Sequence, residues 1–262
     1  MDWRDALRER DLPSVEPAFR HQLSFVGVSA ISQQFFCEAK VEQEYTRGEV
    51  PSEVKDAGTD LHGEILAMKR VGRKELIKHI EKGQSLTTSF PLYAEVGELR
   101  VIGVPDAVVF EKAKPEWLIE LKTTRGDHTR LWRDQLLQVR IYGLLLERMG
   151  FNCSKLKLAL VRMRQERALE DEHKKALLSL IRTALMKGHT KELEKAYPMK
   201  FFLYPHDPRE AETSVLWAQD YWLKRREPIP TKNRFKCRGC EYRDACPFSL
   251  WKEDKGDETL QA

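Results

Sequence analysis

Three apolar, β-branched runs lie close together between Leu86 and Thr123, and no other stretch restricts the fold so severely. Residues 86–96, 99–110 and 117–123 are rich in Val, Leu, Ile and aromatic side chains, which pack well on a pleated surface. Only Gly97 and the segment 112–115 separate them. Connections that short cannot hold a crossover helix, so the runs are expected to pair antiparallel, as a meander. From about 129 to 149 the spacing turns helical, with Leu131, Gln135, Gln138, Tyr142 and Leu145 on one stripe and Gly150 placed to end the helix. Residues 156–161 then read as a buried strand, and the intervening helix is long enough to set it parallel to the strand before it. The expected class is α/β, a mixed central sheet flanked by helices.

Around this block the signals are helical. Ser29 is placed to cap a helix over 30–45, and a second helix carries Leu61, Ile65, Met68, Leu76, Ile77 and Ile80. After the core come a basic helix at 166–187, a short strand at 201–204, a helix at 209–224 and a Pro- and Cys-containing loop. At 262 residues the chain can bury a full core as one domain or two small ones. No segment offers the roughly 20 apolar residues that span a membrane, and the start Met1-Asp2-Trp3-Arg4 lacks the apolar core of a signal peptide. Five cysteines, three of them bunched, do not resemble a secreted disulfide framework, so a cytoplasmic setting is expected. The net charge of +4 is unevenly spread: residues 1–60 carry −5, whereas 140–200 carry +7 and 221–243 hold eight Lys/Arg against two Glu. A polyanion is drawn to the later part of such a chain, although a solvated helical face leaves the same trace.

Pro105-Asp106 is followed, fourteen residues after the aspartate, by Glu120-Leu121-Lys122. Strand alternation points Glu120 and Lys122 to one face, and an antiparallel neighbour can set Asp106 beside them. Converging carboxylates repel unless a cation lies between them, and hard oxygen ligands suit Mg²⁺ or Mn²⁺. Such an ion activates water and stabilises charge on a scissile phosphate. An ordinary cross-strand ion pair would leave a similar pattern. Gln138 and Tyr142, four apart, share a helical face turned toward the sheet, either as polar support for the site or as core. His62 opens the second helix and is as consistent with a structural histidine as with a metal ligand.

Cys237-x2-Cys240-x5-Cys246-Pro247 lies in a basic loop. Thiolates that close bind metal; a cluster needs four, and the proline after the last resembles a ferredoxin feature. Cys37 and Cys153 are the candidates for the fourth, with Cys37 favoured and zinc retained as the alternative to iron. A ligand so distant in sequence would close a long loop and tie the chain ends together.

Taken together, Cys37, His62, Asp106, Glu120-x-Lys122, Gln138-x3-Tyr142 and Cys237-x2-Cys240-x5-Cys246 resemble the RecB-like PD-(D/E)xK nucleases with an Fe–S clasp. That group includes CRISPR-associated adaptation exonucleases, the exonuclease V group and the AddB nuclease domain. The resemblance implies a restriction-endonuclease-like fold, one domain over 1–262 with a catalytic core at 80–165 and cluster-binding segments at 25–45 and 225–250. It implies Mg²⁺ or Mn²⁺ on His62, Asp106, Glu120 and the Leu121 carbonyl, with Lys122 assisting water and Gln138 and Tyr142 supporting the site. It implies a [4Fe–4S] cluster on Cys37, Cys237, Cys240 and Cys246. The activity the resemblance implies is exonucleolytic cleavage of DNA at single-stranded ends, in spacer acquisition or repair beside an integrase or helicase. A non-catalytic Fe–S DNA-binding subunit is the alternative.

Overall fold

Proline cuts two of the strand-forming runs in two, and the pieces enter different sheets. The computed structural model describes residues 2–8, 16–50, 72–164 and 171–251. Near Pro91 the first run divides into β2 (Leu86–Thr88) and β3 (Leu92–Val96); near Pro105 the second divides into β4 (Leu99–Gly103) and β5 (Ala107–Glu111). Proline lacks the N–H that a ladder requires. The two breaks are tied together, Ser89 Oγ donating to the Pro105 carbonyl at 2.7 Å. The expected single meander is therefore corrected to two mixed sheets.

The smaller sheet has the order β1–β4–β3, where β1 is Val26–Gly27, parallel to β4. The larger has the order β2–β5–β6–β7–β8. In it β6 (Lys114–Thr124) pairs antiparallel with β5 and parallel with β7 (Lys157–Arg164), and β8 (Met199–Pro205) closes the edge antiparallel. The parallel pairing agrees with the sequence reading. All six interior residues of β7 are buried, as a strand covered on both faces requires.

The helices, numbered in chain order, are α1 (Trp3–Arg8), α2 (Val28–Gln34), α3 (Glu38–Arg47), α4 (Arg73–Glu81) and α5 (Arg133–Arg148). After them come α6 (Asp171–Lys187), α7 (Thr190–Ala196), α8 (Pro208–Trp222) and α9 (Arg234–Arg238). The helix expected over 30–45 is broken, with Cys37 extended at the break (φ −171°, ψ 117°), and Gly27 rather than Ser29 precedes the first turn. Tertiary bonds explain the break: Glu38 N donates to the Ile229 carbonyl at 3.2 Å, anchoring the new helix start to the C-terminal segment. Helix α5 begins at Arg133, later than expected, because Thr129 is held in a turn by Asp127, whose Oδ1 accepts from its N–H at 2.8 Å. Leu61, Ile65 and Met68 lie outside the described residues.

Each face of the larger sheet has its own core. Val108, Phe110, Leu118, Leu158 and Leu160 pack against α5 in a cluster that continues into the smaller sheet, α2 and α8. Ala107, Ile119, Leu121, Val161 and Phe201 pack on the other face against Leu177, Leu178, Ile181 and Leu185 of α6. Burial at roughly 25 cal/mol per Å² of apolar surface makes these the principal stabilising contacts. Among the described residues no helix is long and apolar enough to cross a membrane.

Candidate active site and cysteine pocket

The β5–β6 register fixes the carboxylates. Ala107 pairs with Ile119, so one further step sets Asp106 alongside Glu120. Asp106 Oδ2 accepts from the Leu121 backbone N–H at 2.7 Å, locking the carboxylate onto the neighbouring strand. Two residues along β6, on the same face as Glu120, Lys122 Nζ donates to Glu120 Oε1 at 2.8 Å. Glu120 is buried. Burial alone would lower the Lys122 ammonium, but the ion pair and hydrogen bond with Glu120, with Asp106 and Asp134 nearby, outweigh it and raise the pKa. Leu121 turns its side chain into the opposite core and leaves its backbone at the site.

Helix α5 packs on this face of the sheet. Gln138 Nε2 donates to the Tyr142 hydroxyl at 3.2 Å. Burial first, then the Glu120 carboxylate, hold the Tyr142 phenol well above its usual range, so it stays protonated and able to donate. Its ring fits because Gly103 has no side chain: a Cβ there would meet Tyr142 Cε1 at 2.7 Å and Val28 Cγ2 at 2.8 Å. Asp106, Glu120, Lys122, Gln138 and Tyr142 thus form one neighbourhood, while His62 lies outside the described residues. Oxygen donors from two adjacent carboxylates fit a hard divalent cation.

Cys37, Cys237, Cys240 and Cys246 line a single pocket, together with Phe36 and Tyr242. The Thr231 backbone N–H donates to Cys37 Sγ at 3.4 Å. Cys153 is elsewhere, in the core beside α5, where burial and then Glu147 push its thiol up to about 12. Among the described residues no three His, Cys, Asp or Glu side chains converge on one ion.

Protein contacts alone also join the two ends of the chain at this pocket. Glu38, 1% exposed, accepts from both Arg226 amino groups and, at 2.7 Å, from the Ile229 N–H. Gln34 Nε2 donates to Glu38 Oε1 at 2.8 Å, and Gln34 Oε1 accepts from Trp222 Nε1 at 2.6 Å. Lys40 pairs with Glu241 at 3.1 Å, and Tyr242 donates to the Gly48 carbonyl at 2.9 Å. Sequence reasoning missed this network. It also missed Arg162, a charge inside the apolar run of β7, by ending that strand at Val161; one more residue would have revealed it.

No curated protein matches the chain. A solved structure described as "Crystal structure of SSO0001" matches 87% of this chain and 87% of that chain, with 18% identity and a TM-score of 0.48, a likeness that carries no argument here. The match to the PD-(D/E)XK nuclease superfamily, by contrast, covers residues 29–247, from α2 to the last cysteine of the pocket. With Pro105-Asp106 and Glu120-Leu121-Lys122 meeting on adjoining strands within that span, this chain belongs to the PD-(D/E)XK nuclease superfamily.

Proposed function

We propose that the chain is a DNA exonuclease, hydrolysing phosphodiester bonds at single-stranded ends with Mg²⁺ or Mn²⁺ held by Asp106, Glu120, the Leu121 carbonyl and His62. The observation that carries the reading is the meeting of Asp106, Glu120 and Lys122 on adjoining strands. When bound, the ion supplies an activated water and offsets charge building on the phosphate. Asp106 is held on β6 by the Leu121 N–H, so the carboxylates are oriented in advance. Lys122, kept charged by Glu120, presents its ammonium where it can orient the water or neutralise a phosphate oxygen. Tyr142, protonated and hydrogen-bonded to Gln138, supplies a neutral donor to the same neighbourhood.

The four pocket cysteines are read as holding a [4Fe–4S] cluster that closes the ends of the domain. That all four line one pocket supports a shared metal centre, and the family resemblance favours a cluster over zinc. The family resemblance supports work in the cytoplasm, in spacer acquisition or repair beside an integrase or helicase.

Two experiments test this. Glu120→Gln and Lys122→Ala should each slow cleavage of labelled single-stranded DNA by at least roughly a hundredfold, in the range general acid–base and metal-site losses reach. Chelation of divalent metal should do the same. Variants cutting as fast as the parent would remove the site assignment, and a parent that cuts nothing with divalent metal present would leave a non-catalytic DNA-binding subunit. Prepared without oxygen, the protein should be brown; Cys37→Ser should bleach it and Cys153→Ser should not.

A further inference from the structure

Arg162 is the one basic residue on β7 that is buried, 2% exposed. It is the register partner of Lys122 across the parallel β6–β7 pair, so the two side chains share a sheet face. Its Nε and Nη1 are shielded from solvent and have no hydrogen-bond partner among the described residues. The carboxylates that act on it are Asp127 and Asp134. Neither hydrogen-bonds the buried Nε or Nη1. Asp127 Oδ1 is engaged by Thr129, accepting from its N–H at 2.8 Å and its hydroxyl at 2.6 Å. Asp134 is pushed up in pKa, chiefly by burial, which weakens its hold on negative charge. A guanidinium stays protonated even when burial lowers its pKa, and a buried one with unbonded N–H groups is costly to retain. Buried polar groups left unsatisfied call for an explanation, and here the location supplies it.

We infer that Arg162 is a second phosphate subsite of the active site, binding the phosphate next to the scissile one by charge-assisted hydrogen bonds. The inference rests on the nuclease reading above. Neighbouring strands lie about 4.8 Å apart, so long side chains from β6 and β7 reach successive phosphates of one strand. Arginine suits this task better than lysine because its planar fork matches phosphate oxygens. The row continues onto β8, where Lys200 is the register partner of Arg162 and pairs with Glu194 at 2.8 Å. That partner leaves Arg162, rather than Lys200, as the donor kept for substrate.

The test uses the full-length protein, Arg162→Met and Arg162→Lys, with a fluorescent single-stranded oligonucleotide. Binding measured in chelator, without cleavage, should weaken roughly ten- to a hundredfold in Arg162→Met, the range for hydrogen bonds to charged groups. The slope of log affinity against log salt should fall by about 0.7, one contact on a single strand, with Arg162→Lys in between. In cleavage assays KM should rise while kcat stays within about threefold. The free Arg162→Met protein should also melt at a higher temperature than the parent, because an unpaired buried charge has been removed. A lower melting temperature, or an unchanged salt slope, overturns the inference whatever the cleavage rate. Loss of cleavage in the parent, with the salt slope still altered in Arg162→Met, would instead overturn the nuclease reading alone. Comparing 5′-phosphorylated with 5′-hydroxyl oligonucleotides identifies the source: equal losses assign an internal phosphate, and a loss confined to the phosphorylated arm assigns a terminal one.

Discussion

Asp106, Glu120 and Lys122 are brought together by backbone pairing between two strands whose turn, at Lys112 and Ala113, has positive φ at both positions. Cys37 and the group at Cys237–Cys246 are brought together quite differently, by side chains that reach across the chain: Arg226 to Glu38, Glu241 to Lys40, Tyr242 to the Gly48 carbonyl. A ladder sets positions through repeated backbone hydrogen bonds, so losing one neighbouring side chain moves them little. A clasp made from a few buried polar contacts has no such redundancy, and each member matters to whether it closes. The first region is therefore expected to fail chemically when altered, the second structurally.

The sharpest way to break that contrast is Arg226→Ala. It leaves the Glu38 carboxylate buried beside Gln34 and the Ile229 N–H, and removing one partner of a buried ion pair costs about 3–5 kcal/mol. Urea unfolding should show that loss, and the brown colour should fade faster in air than in the parent. If stability falls by less than about 1 kcal/mol, the end-to-end contacts are ordinary surface pairs, whose worth is of that order. Next in size is Gly103→Ala. The added methyl must displace Tyr142 or Val28, an overpacking cost of roughly 1–3 kcal/mol, and cleavage should fall while the cysteine pocket keeps its colour. Loss of both at once would mean that the regions are not independent. The smallest effect is expected from Asp134→Asn. Burial raises the folded-state pKa of Asp134, so the folded protein takes up its proton more readily than the unfolded chain, and this group's contribution to stability improves as pH falls through that raised value. The variant should melt slightly above the parent at neutral pH, with the gap narrowing as pH falls through that raised value and gone below the ordinary aspartate value of 3.8. A variant that melts lower at neutral pH would show that Asp134 serves Lys122 or Lys236 more than burial harms it.

The contrast also explains what was legible in the sequence. Strand alternation and the spacing from Asp106 to Lys122 are local properties, so the carboxylates and the lysine are readable in the sequence. So is the parallel pairing of β6 with β7, because a helix separates them. The two-sheet arrangement is not, since Pro91 and Pro105 break the runs but do not state which sheet each fragment joins. The break at Cys37 was equally hidden: helical periodicity runs on through Phe35 and Phe36, and what interrupts it is a bond to Ile229. Glu38 looked like one more charge on a solvated helix, and only the positions of Gln34, Trp222 and Arg226 reveal it as a buried junction. Long-range closure leaves few marks in local pattern.

Glu38 has one more consequence, for a chain still emerging from the ribosome. Its partner Arg226 is made 188 residues later. At 5–20 residues per second, roughly 10–40 s pass before that guanidinium exists. Until then, burying the carboxylate at the α2–α3 junction has no counter-charge to support it, so this corner must stay hydrated while the strands between are already pairing. Translation pauses ahead of Arg226 would prolong that open interval, and would expose the Cys37 thiol to oxidants before its companions arrive.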